Sequence, residues 1–136
     1  MSDKEQTLSI IKPDAVERNL DNEIKEIFKN NGFQIVKEKK IQIEKSEAEK
    51  FYKVHETKPF YNDLCNYLSS GPVLVMVLKK DNAIAENRKI MGATNPEDAD
   101  PGTIRREFGI SIDKNSIHGS DSKENAEKEI SFFFKD

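Results

Sequence analysis

The sequence predicts one domain of the α/β class, more narrowly an α+β sandwich in which helices cover a four-stranded antiparallel sheet. Segments with strand-like alternation are separated by segments with helix-like spacing along the chain. Residues 73–78 are apolar on both faces, as expected of a strand that is covered on both sides. The 136 residues fit the roughly 100 to 200 residues of a single domain, and no repeat or Gly/Ser linker divides them. We therefore expect residues 1–136 to form one domain.

The first part of the chain is predicted to form a strand, a helix and a second strand. Residues 7–12 alternate in hydrophobicity, with Lys12 at the strand end. Pro13 holds Lys12 extended, because the residue before a proline avoids the helical region. Asn22 is expected to open a helix with one apolar face, and residues 33–43 have the pattern of the second strand.

Two helices then lead to the central strand. Ser46 and Glu49 have the spacing of a capping box, which predicts the start of a helix there. A further helix is expected after Pro59, and a Gly-Pro pair ends it before residues 73–78.

A long loop is predicted between the last two strands. Asn82 is expected to cap a helix that stops at Gly92. From there to about Ser116, only the stretch around Ile104–Phe108 has helical character. Long loops in compact domains are usually functional or disordered, so this loop is a candidate part of a site.

The last strand is short and leads a histidine into a polar turn. Residues 117–118 have the pattern of this strand, and a Gly-Ser-Asp-Ser turn follows them. Asp121 and Glu124 are expected to cap the final helix. The order of elements contains the β-α-β-β-α-β plan of a ferredoxin-like fold.

The composition excludes several classes of protein. The longest apolar run has six residues, far fewer than the roughly 20 that a membrane span needs. The N-terminus is charged and lacks the apolar stretch of a secretory signal, and the single Cys65 cannot form an internal disulfide. These features predict a cytoplasmic protein in which Cys65 is a packing residue.

The charge distribution argues against binding to nucleic acid. The net charge is −3, with lysines and glutamates interspersed, so no basic stripe is available to neutralise a nucleic-acid backbone. Any anion that this chain binds should therefore meet a local cluster of cations.

A few isolated residues are candidates for chemistry. Lys12 at a strand end, Arg88 near an inward helix face and Arg105 in the long loop occupy positions where an unpaired charge is costly. Each cation alone is explained by an ion pair or by an exposed side chain, and His118 alone by nearby hydroxyls. Together the four residues are typical of an electrostatic clamp for phosphates.

Other kinds of site have less support. Zinc would draw its nitrogen or sulfur ligands from His55, His118 and Cys65, which lack any paired spacing. Neither the P-loop pattern nor a Gly-x-Gly-x-x-Gly loop is present. Side chains would therefore do most of any phosphate binding.

Seven ordered segments between about Thr7 and Phe134 resemble the motifs of nucleoside diphosphate kinases. The segment around the histidine is Asn115-Ser116-Ile117-His118-Gly119-Ser120-Asp121-Ser122. The others are Ile11-Lys12-Pro13-Asp14, Lys58-Pro59-Phe60, Ser70-Gly71-Pro72-Val73, Gly92-Ala93-Thr94-Asn95-Pro96, Pro101-Gly102-Thr103-Ile104-Arg105 and Glu127-Lys128-Glu129-Ile130.

The resemblance implies reversible transfer of the terminal phosphate of a nucleoside triphosphate, mainly ATP, to a nucleoside diphosphate. His118 would be the nucleophile of a ping-pong reaction, attacking through Nδ1 to give a phosphohistidine. The neutral imidazole that this needs is abundant at cellular pH, because the unperturbed pKa of histidine is about 6.5. Ser120 and Glu129 resemble the pair that orients the ring. Without the resemblance, Ser120 is equally a helix cap and Glu129 a solvated residue.

The resemblance also implies how the nucleotide is held. Lys12 would contact the transferred phosphate and the sugar 3′-hydroxyl, and Tyr52 would form a hydrogen bond nearby. Mg²⁺ would bridge the phosphates with few or no direct protein ligands. The phosphates would be held by Arg88, Thr94 and Arg105, the sugar by Asn115, and the two faces of the base by Phe60 and Ile112.

Stacking on the flat faces of a base implies broad tolerance of nucleobases. His55 shares the Tyr52 face and either lines the pocket or is packed or exposed. Phe60 also begins an amphipathic stripe, and without the resemblance it would be assigned to the core. Partners are expected to be nucleotides and further copies of the chain, in a hexamer rather than a tetramer.

The chain departs from the family pattern at a few positions. Ser116 stands where an apolar residue is usual, and Asn19, Asp21 and Asn22 where glycines and an aliphatic residue are common. The alternatives to nucleotide phosphotransfer are a non-catalytic interaction protein on the same fold and phosphotransfer from His118 to a protein. The first predicts at least one lost clamp residue, and all of them are present.

Overall fold

One antiparallel sheet organises the computed structural model, which describes residues 5–53, 56–59, 61–110 and 116–134. Within these residues the strands are β1 (Glu5–Ile11), β2 (Gln34–Gln42), β3 (Pro72–Lys80) and β4 (Ile117–Gly119). They lie in the order β2-β3-β1-β4, and each neighbouring pair is antiparallel. The predicted ferredoxin-like α+β class, a four-stranded antiparallel sheet with helices, is confirmed.

Helices cover both faces of this sheet. The described helices are α1 (Pro13–Glu17), α2 (Asp21–Asn30), α3 (Lys45–Phe51), α4 (Tyr61–Leu68), α5 (Ala83–Met91), α6 (Ile104–Phe108) and α7 (Lys123–Phe133), with a 3₁₀ turn at Pro96–Asp98. Along the described part of the chain, no helix is long and apolar enough to cross a membrane.

The core consists of two clusters, one on each face of the sheet. Successive side chains of a strand point to opposite faces, so neighbours in β3 belong to different clusters. Val75 packs with one cluster and Met76 with the other, and both are fully buried. Cys65 is fully buried in the cluster that also contains Tyr52, which agrees with a packing role.

The start of α3 differs from the prediction. The capping box joins Glu44 and Glu47, and the backbone N–H of Glu44 donates to Glu47 Oε1 at 3.2 Å. The predicted box of Ser46 and Glu49 is therefore wrong. The buried residues Ile43 and Ala48 fix the chain on the sheet, so the helix begins two residues earlier than the hydroxyl pattern suggested.

Two further helix starts use partners that the local sequence did not indicate. Asn82 precedes α5 in the left-handed region at φ 56° and its side chain caps nothing, whereas Glu5 Oε1 accepts a hydrogen bond of 2.9 Å from the N–H of Ile84. Ser122, not Asp121 with Glu124, caps α7 by accepting from the N–H of Asn125. Helix α2 begins at Asp21, one residue before the predicted start at Asn22.

The turn after β1 contains a helix that the periodicity did not predict. Helix α1 has five residues, too few to produce a helical period, and Pro13 occupies its first turn. Lys12 is extended at φ −75° and ψ 164°, as the following proline predicts. Lys12 thus lies between the end of β1 and the start of α1. The sheet fixes the positions of Lys12 and of α1.

Candidate active site

His118 lies in the middle of β4, the edge strand of the sheet, opposite Ile10 of β1. Its side chain is 21% exposed, and its ring packs edge-on against Phe51 with 5.3 Å between the ring centroids. A side chain at the next residue, Gly119, would collide with Asn87 of α5, so only glycine lets α5 pack this closely on β4.

A carboxylate fixes the histidine ring. Glu129 of α7 has one oxygen, Oε1, that lies 3.0 Å from His118 Nε2 and accepts a hydrogen bond of 2.8 Å from Ser120 Oγ. Ser120 is fully buried and its hydroxyl also accepts from the N–H of Leu8 at 3.3 Å. Ser120 is not a helix cap, because Ser122 caps α7. Glu129 is not a fully solvated residue, because its side chain is 19% exposed.

This arrangement selects one tautomer of the imidazole. A carboxylate only accepts hydrogen bonds, so a proton on Nε2 is held between the ring and Glu129. In the neutral ring the other nitrogen, Nδ1, then carries the free lone pair. The geometry therefore provides a nucleophilic nitrogen and, behind it, a negative charge that stabilises a positive ring.

A cavity of about 290 Å³ opens at His118. Tyr52 forms part of its wall, and burial raises the pKa of its phenol, with smaller contributions from Cys65 and Glu129. The hydroxyl is therefore protonated and available as a donor at neutral pH. The residues that line this cavity are Lys50, Phe51, Tyr52, His118, Gly119, Asp121, Asn125, Lys128, Glu129 and Phe132.

A second cavity, of about 380 Å³, contains the predicted phosphate-binding side chains of α5 and the long loop. Arg88 and Thr94 are exposed at its wall, and the carboxylates of Asp98 and Asp100 also line it. The lining set is Arg88, Lys89, Gly92, Ala93, Thr94, Asp98, Asp100, Thr103 and Arg105.

Arg105 connects this second cavity to the histidine strand. Its guanidinium donates through Nη1 to the carbonyl of Gly92 at 3.1 Å and through Nη2 to the carbonyl of Ile117 at 3.0 Å. Among the described atoms, Arg105 Nε has no partner. Burial, followed by repulsion from Arg88, lowers the pKa of Arg105 to about 10, so the group is still charged at pH 7.

The two cavities are linked through β4. Arg105 of the second cavity donates to the carbonyl of Ile117, and the next residue, His118, lines the first cavity. Asp121 also lines the histidine cavity, and its pKa is lowered first by the hydrogen bond from Asn125 and also by the charges of Arg88 and His118. A cation of the second cavity is therefore attached to the strand that carries the histidine.

Lys12 reaches this region through the backbone. The residue is 6% exposed, and its N–H donates to the carbonyl of Ser116, just before β4, at 2.8 Å. Because Ile11 pairs with Ile117, Lys12 lies where β1 and β4 separate. The predicted contacts Phe60, Ile112 and Asn115, and the possible pocket residue His55, lie outside the described residues.

The sequence interpretation missed some residues of the histidine cavity. It gave no functional role to Phe51, Lys50, Asn125 or Lys128. Helical spacing was the available signal, because Asn125 lies one turn before Glu129 on the same face of α7. Within the described residues, no group of three or more His, Cys, Asp or Glu is placed to hold a metal ion.

Comparisons with known proteins point in one direction. The family model described as "Nucleoside diphosphate kinase" matches residues 5–136. The chain is 58% identical over 130 residues to a nucleoside diphosphate kinase of Nitratiruptor sp., covering 96% of this chain and 95% of that protein. The crystal structure of the Aquifex aeolicus nucleoside diphosphate kinase superposes with a TM-score of 0.95 at 42% identity, covering 96% of this chain and 95% of the other. The Encephalitozoon cuniculi enzyme gives 0.94 at 39% identity, with 97% and 90% covered.

Proposed function

The chain belongs to the nucleoside diphosphate kinase family, and from this premise we propose that His118 is the residue that carries the phosphoryl group. The protein is an enzyme that transfers the terminal phosphate between nucleoside triphosphates and diphosphates. The observation that supports His118 is the hydrogen bond from Nε2 to Glu129, which leaves Nδ1 as the free nucleophile beside a cavity.

The proposed reaction consists of two half-reactions, phosphorylation of His118 by a triphosphate and its dephosphorylation by a diphosphate. The Nδ1 lone pair attacks the terminal phosphorus of the triphosphate, the N–P bond forms, and the bond to the bridging oxygen breaks as the diphosphate leaves. The ring becomes positive while its Nε2 proton stays hydrogen-bonded to Glu129. A terminal oxygen of the second diphosphate then attacks the phosphorus, a new P–O bond forms, and the N–P bond breaks with its electron pair returning to Nδ1, so the ring is neutral again. The same Glu129 contact serves both halves, which suits a reversible ping-pong reaction.

Cationic side chains supply the rest of the catalysis. Phosphoryl transfer places charge on the equatorial phosphate oxygens, so positioned cations and donors stabilise the transition state. We assign phosphate binding to Arg88, Thr94 and Arg105, and contacts with the transferred group to Lys12 and Tyr52. The lowered pKa of Arg105 supports its part, because a guanidinium that is largely buried beside a second arginine gains most from an incoming anion.

The nucleoside contacts rest on the resemblance of the sequence motifs. Phe60 and Ile112 are proposed to hold the two faces of the base, and Asn115 to contact the sugar. A base that is held by its faces is recognised by its flat shape, so several nucleobases should be accepted. Substitution of Phe60 by alanine should raise KM for all nucleotides by a similar factor.

Magnesium is proposed to enter with the nucleotide. The described residues offer no cluster of carboxylates that would cage the ion, whereas Mg²⁺ commonly keeps several waters and binds substrate phosphates. The protein residues therefore fit a metal that is held by the nucleotide, and its chemistry would be to neutralise phosphate charge.

We also propose a cytoplasmic homo-oligomer, a hexamer rather than a tetramer. This proposal rests on the resemblance to the family, and analytical ultracentrifugation would measure the oligomeric state.

Incubation with terminally labelled ATP and Mg²⁺ tests the central proposal. The protein should acquire a label that is stable in alkali and lost in acid, and GDP or CDP should remove it as labelled triphosphate. His118→Ala should remain unlabelled, whereas Ser131→Ala, an exposed change on α7, should label normally. Label that persists in His118→Ala would refute the assignment of the nucleophile. Label that passes to proteins faster than to nucleotides would favour the protein-phosphotransfer alternative.

A further inference from the structure

A buried carboxylate lies behind the histidine strand, outside the two cavities described above. The side chain of Asp14 is 3% exposed and accepts hydrogen bonds from three side chains, two of which lie 53 and 102 residues away in the sequence. Ser116 Oγ donates to it at 2.8 Å, Arg18 Nη2 donates at 3.1 Å, and the hydroxyl of Tyr67 in α4 donates to its other oxygen. We call Asp14, Arg18, Tyr67 and Ser116 the Asp14 network.

Ser116 is the member of the network that touches the active-site backbone. It is fully buried and adopts φ 73°, a left-handed conformation that few residues other than glycine accept. Its carbonyl accepts from the N–H of Lys12 at 2.8 Å. The carbonyl of the next residue, Ile117, accepts from Arg105. Two proposed phosphate-binding cations are therefore attached within two residues of His118.

Arg18 joins the network to the long loop. The same nitrogen that contacts Asp14 also donates to the carbonyl of Phe108 at 2.5 Å, and it lies 3.3 Å from Ser116 Oγ. Phe108 ends α6, the helix that carries Arg105. The network therefore ties α1, α4, α6 and the start of β4 to a single carboxylate.

We propose that Ser116 is a positioning residue for phosphoryl transfer, which acts by fixing the direction in which β4 enters the sheet. This inference rests on the proposed role of His118. The hydroxyl, held by Asp14 and Arg18, keeps the backbone of Ser116 left-handed and its carbonyl directed at Lys12. Lys12 and His118 thereby keep a constant relative position.

Loss of the hydroxyl should affect the rate more than the fold. In Ser116→Ala the carboxylate of Asp14 keeps Arg18 and Tyr67 as partners, so no buried charge is left unpaired. A misplacement of about 1 Å between reacting groups can cost about 100-fold in rate. We expect a smaller displacement here, and a roughly tenfold slower formation of phosphohistidine at saturating ATP. KM should change less than about twofold, because the arginines remain.

The test compares Ser116→Ala with Ser116→Gly by quench-flow measurement of phosphohistidine formation, together with KM and the thermal midpoint. Glycine accepts φ 73° without strain but lacks the hydroxyl, so it separates the hydrogen bond from the backbone conformation. Both variants should be slowed to a similar degree, while Ser131→Ala is unaffected. Unchanged rates in both variants, a slow rate in the alanine variant alone, or a lower midpoint with a normal rate would each overturn the inference.

Arg18→Lys provides an independent measurement even if Ser116 variants do not fold. Lysine keeps a positive charge beside the buried Asp14 carboxylate, so the fold should tolerate it. One ammonium group cannot reproduce the guanidinium contacts with Ser116 and with the carbonyl of Phe108, so phosphohistidine formation should slow through the same network. The double variant Ser116→Ala/Arg18→Lys should be little slower than either single variant, because residues that act as a unit are not additive. A normal rate for Arg18→Lys, or two effects that multiply, would overturn the inference. Absence of label in the unaltered protein would defeat the proposed function itself, whereas normal labelling with unaffected variants would defeat only the role of Ser116.

Discussion

Replacement of Glu129 by glutamine removes one negative charge and keeps the size of the side chain. The carboxylate oxygen Oε1 is shared by His118 Nε2 at 3.0 Å and Ser120 Oγ at 2.8 Å, and both ionisable side chains are about one-fifth exposed. The ring gains positive charge as the N–P bond forms, so its hydrogen bond to Glu129 strengthens in the transition state. The bond from Ser120 does not change during the reaction. The substitution should therefore lower kcat more than nucleotide affinity.

The size of the effect follows from the single hydrogen bond to His118. A hydrogen bond to a charged group contributes about 1.5–3 kcal/mol and a neutral one about 0.5–1.5 kcal/mol. The difference of about 1–1.5 kcal/mol corresponds to a rate that falls roughly five- to tenfold. An amide can also donate to Nε2, which would move the proton to Nδ1 and remove the nucleophilic lone pair. Tenfold is therefore the expected order of the decrease, with KM within about twofold of the original.

Single-turnover labelling measures this decrease directly. Formation of phosphohistidine from labelled ATP is followed by rapid quench for the unaltered protein, Glu129→Gln and the matched control Glu127→Gln. Glu127 lies on the same helix, is exposed, and loses the same charge in the control. An unchanged rate in Glu129→Gln would refute the reasoning. An equal decrease in Glu127→Gln would also refute it, because net charge rather than the contact with His118 would then be responsible.

Three further outcomes follow from other contacts. In Arg105→Lys, one ammonium group cannot span the carbonyls of Gly92 and Ile117, so KM for nucleotides should rise about tenfold. The control Arg106→Lys, on the exposed side of α6, should change KM little. Equal effects of the two substitutions would contradict the assignment of Arg105. Glu5→Ala removes the cap of α5, which should cost about 1 kcal/mol. A domain of this size should then melt about 3–5 °C lower in a thermal scan, and an unchanged midpoint would contradict the cap. Burial raises the pKa of the Cys65 thiol, so it should react with an aromatic disulfide reagent only as denaturant unfolds the chain; rapid reaction in native buffer would contradict its burial.

Long segments with a clear period were predictable from the sequence. The sheet follows from alternation in β1 and from the apolar central strand β3, whose residues fill both core clusters. The errors lie at helix starts, where the partner comes from elsewhere in the fold. The carboxylate that caps Ile84 belongs to Glu5, which is 79 residues away, so no local pattern could have indicated it.

The candidate active site shows the same difference between contacts that the motifs implied and contacts between distant residues. The grouping of His118, Ser120 and Glu129 was implied by the resemblance of their motifs, and the three side chains are in contact. The contact between Ser116 and Asp14 was not, since 102 residues separate them and the left-handed backbone of Ser116 has no sequence signal apart from an unexpected residue type.

The position of His118 depends on side chains more than on the sheet. Strand β4 has three residues and lies at the sheet edge, so among the described strands only β1 holds it by backbone hydrogen bonds. Its place is then fixed from the sides, by Glu129 at the ring and by Arg105 at the carbonyl of Ile117, one residue before the histidine. A cation proposed to bind phosphate therefore also holds the strand of the nucleophile. Arg105→Lys should for this reason lower kcat as well as raise KM, and a change in KM alone would show that the two roles of Arg105 are separable.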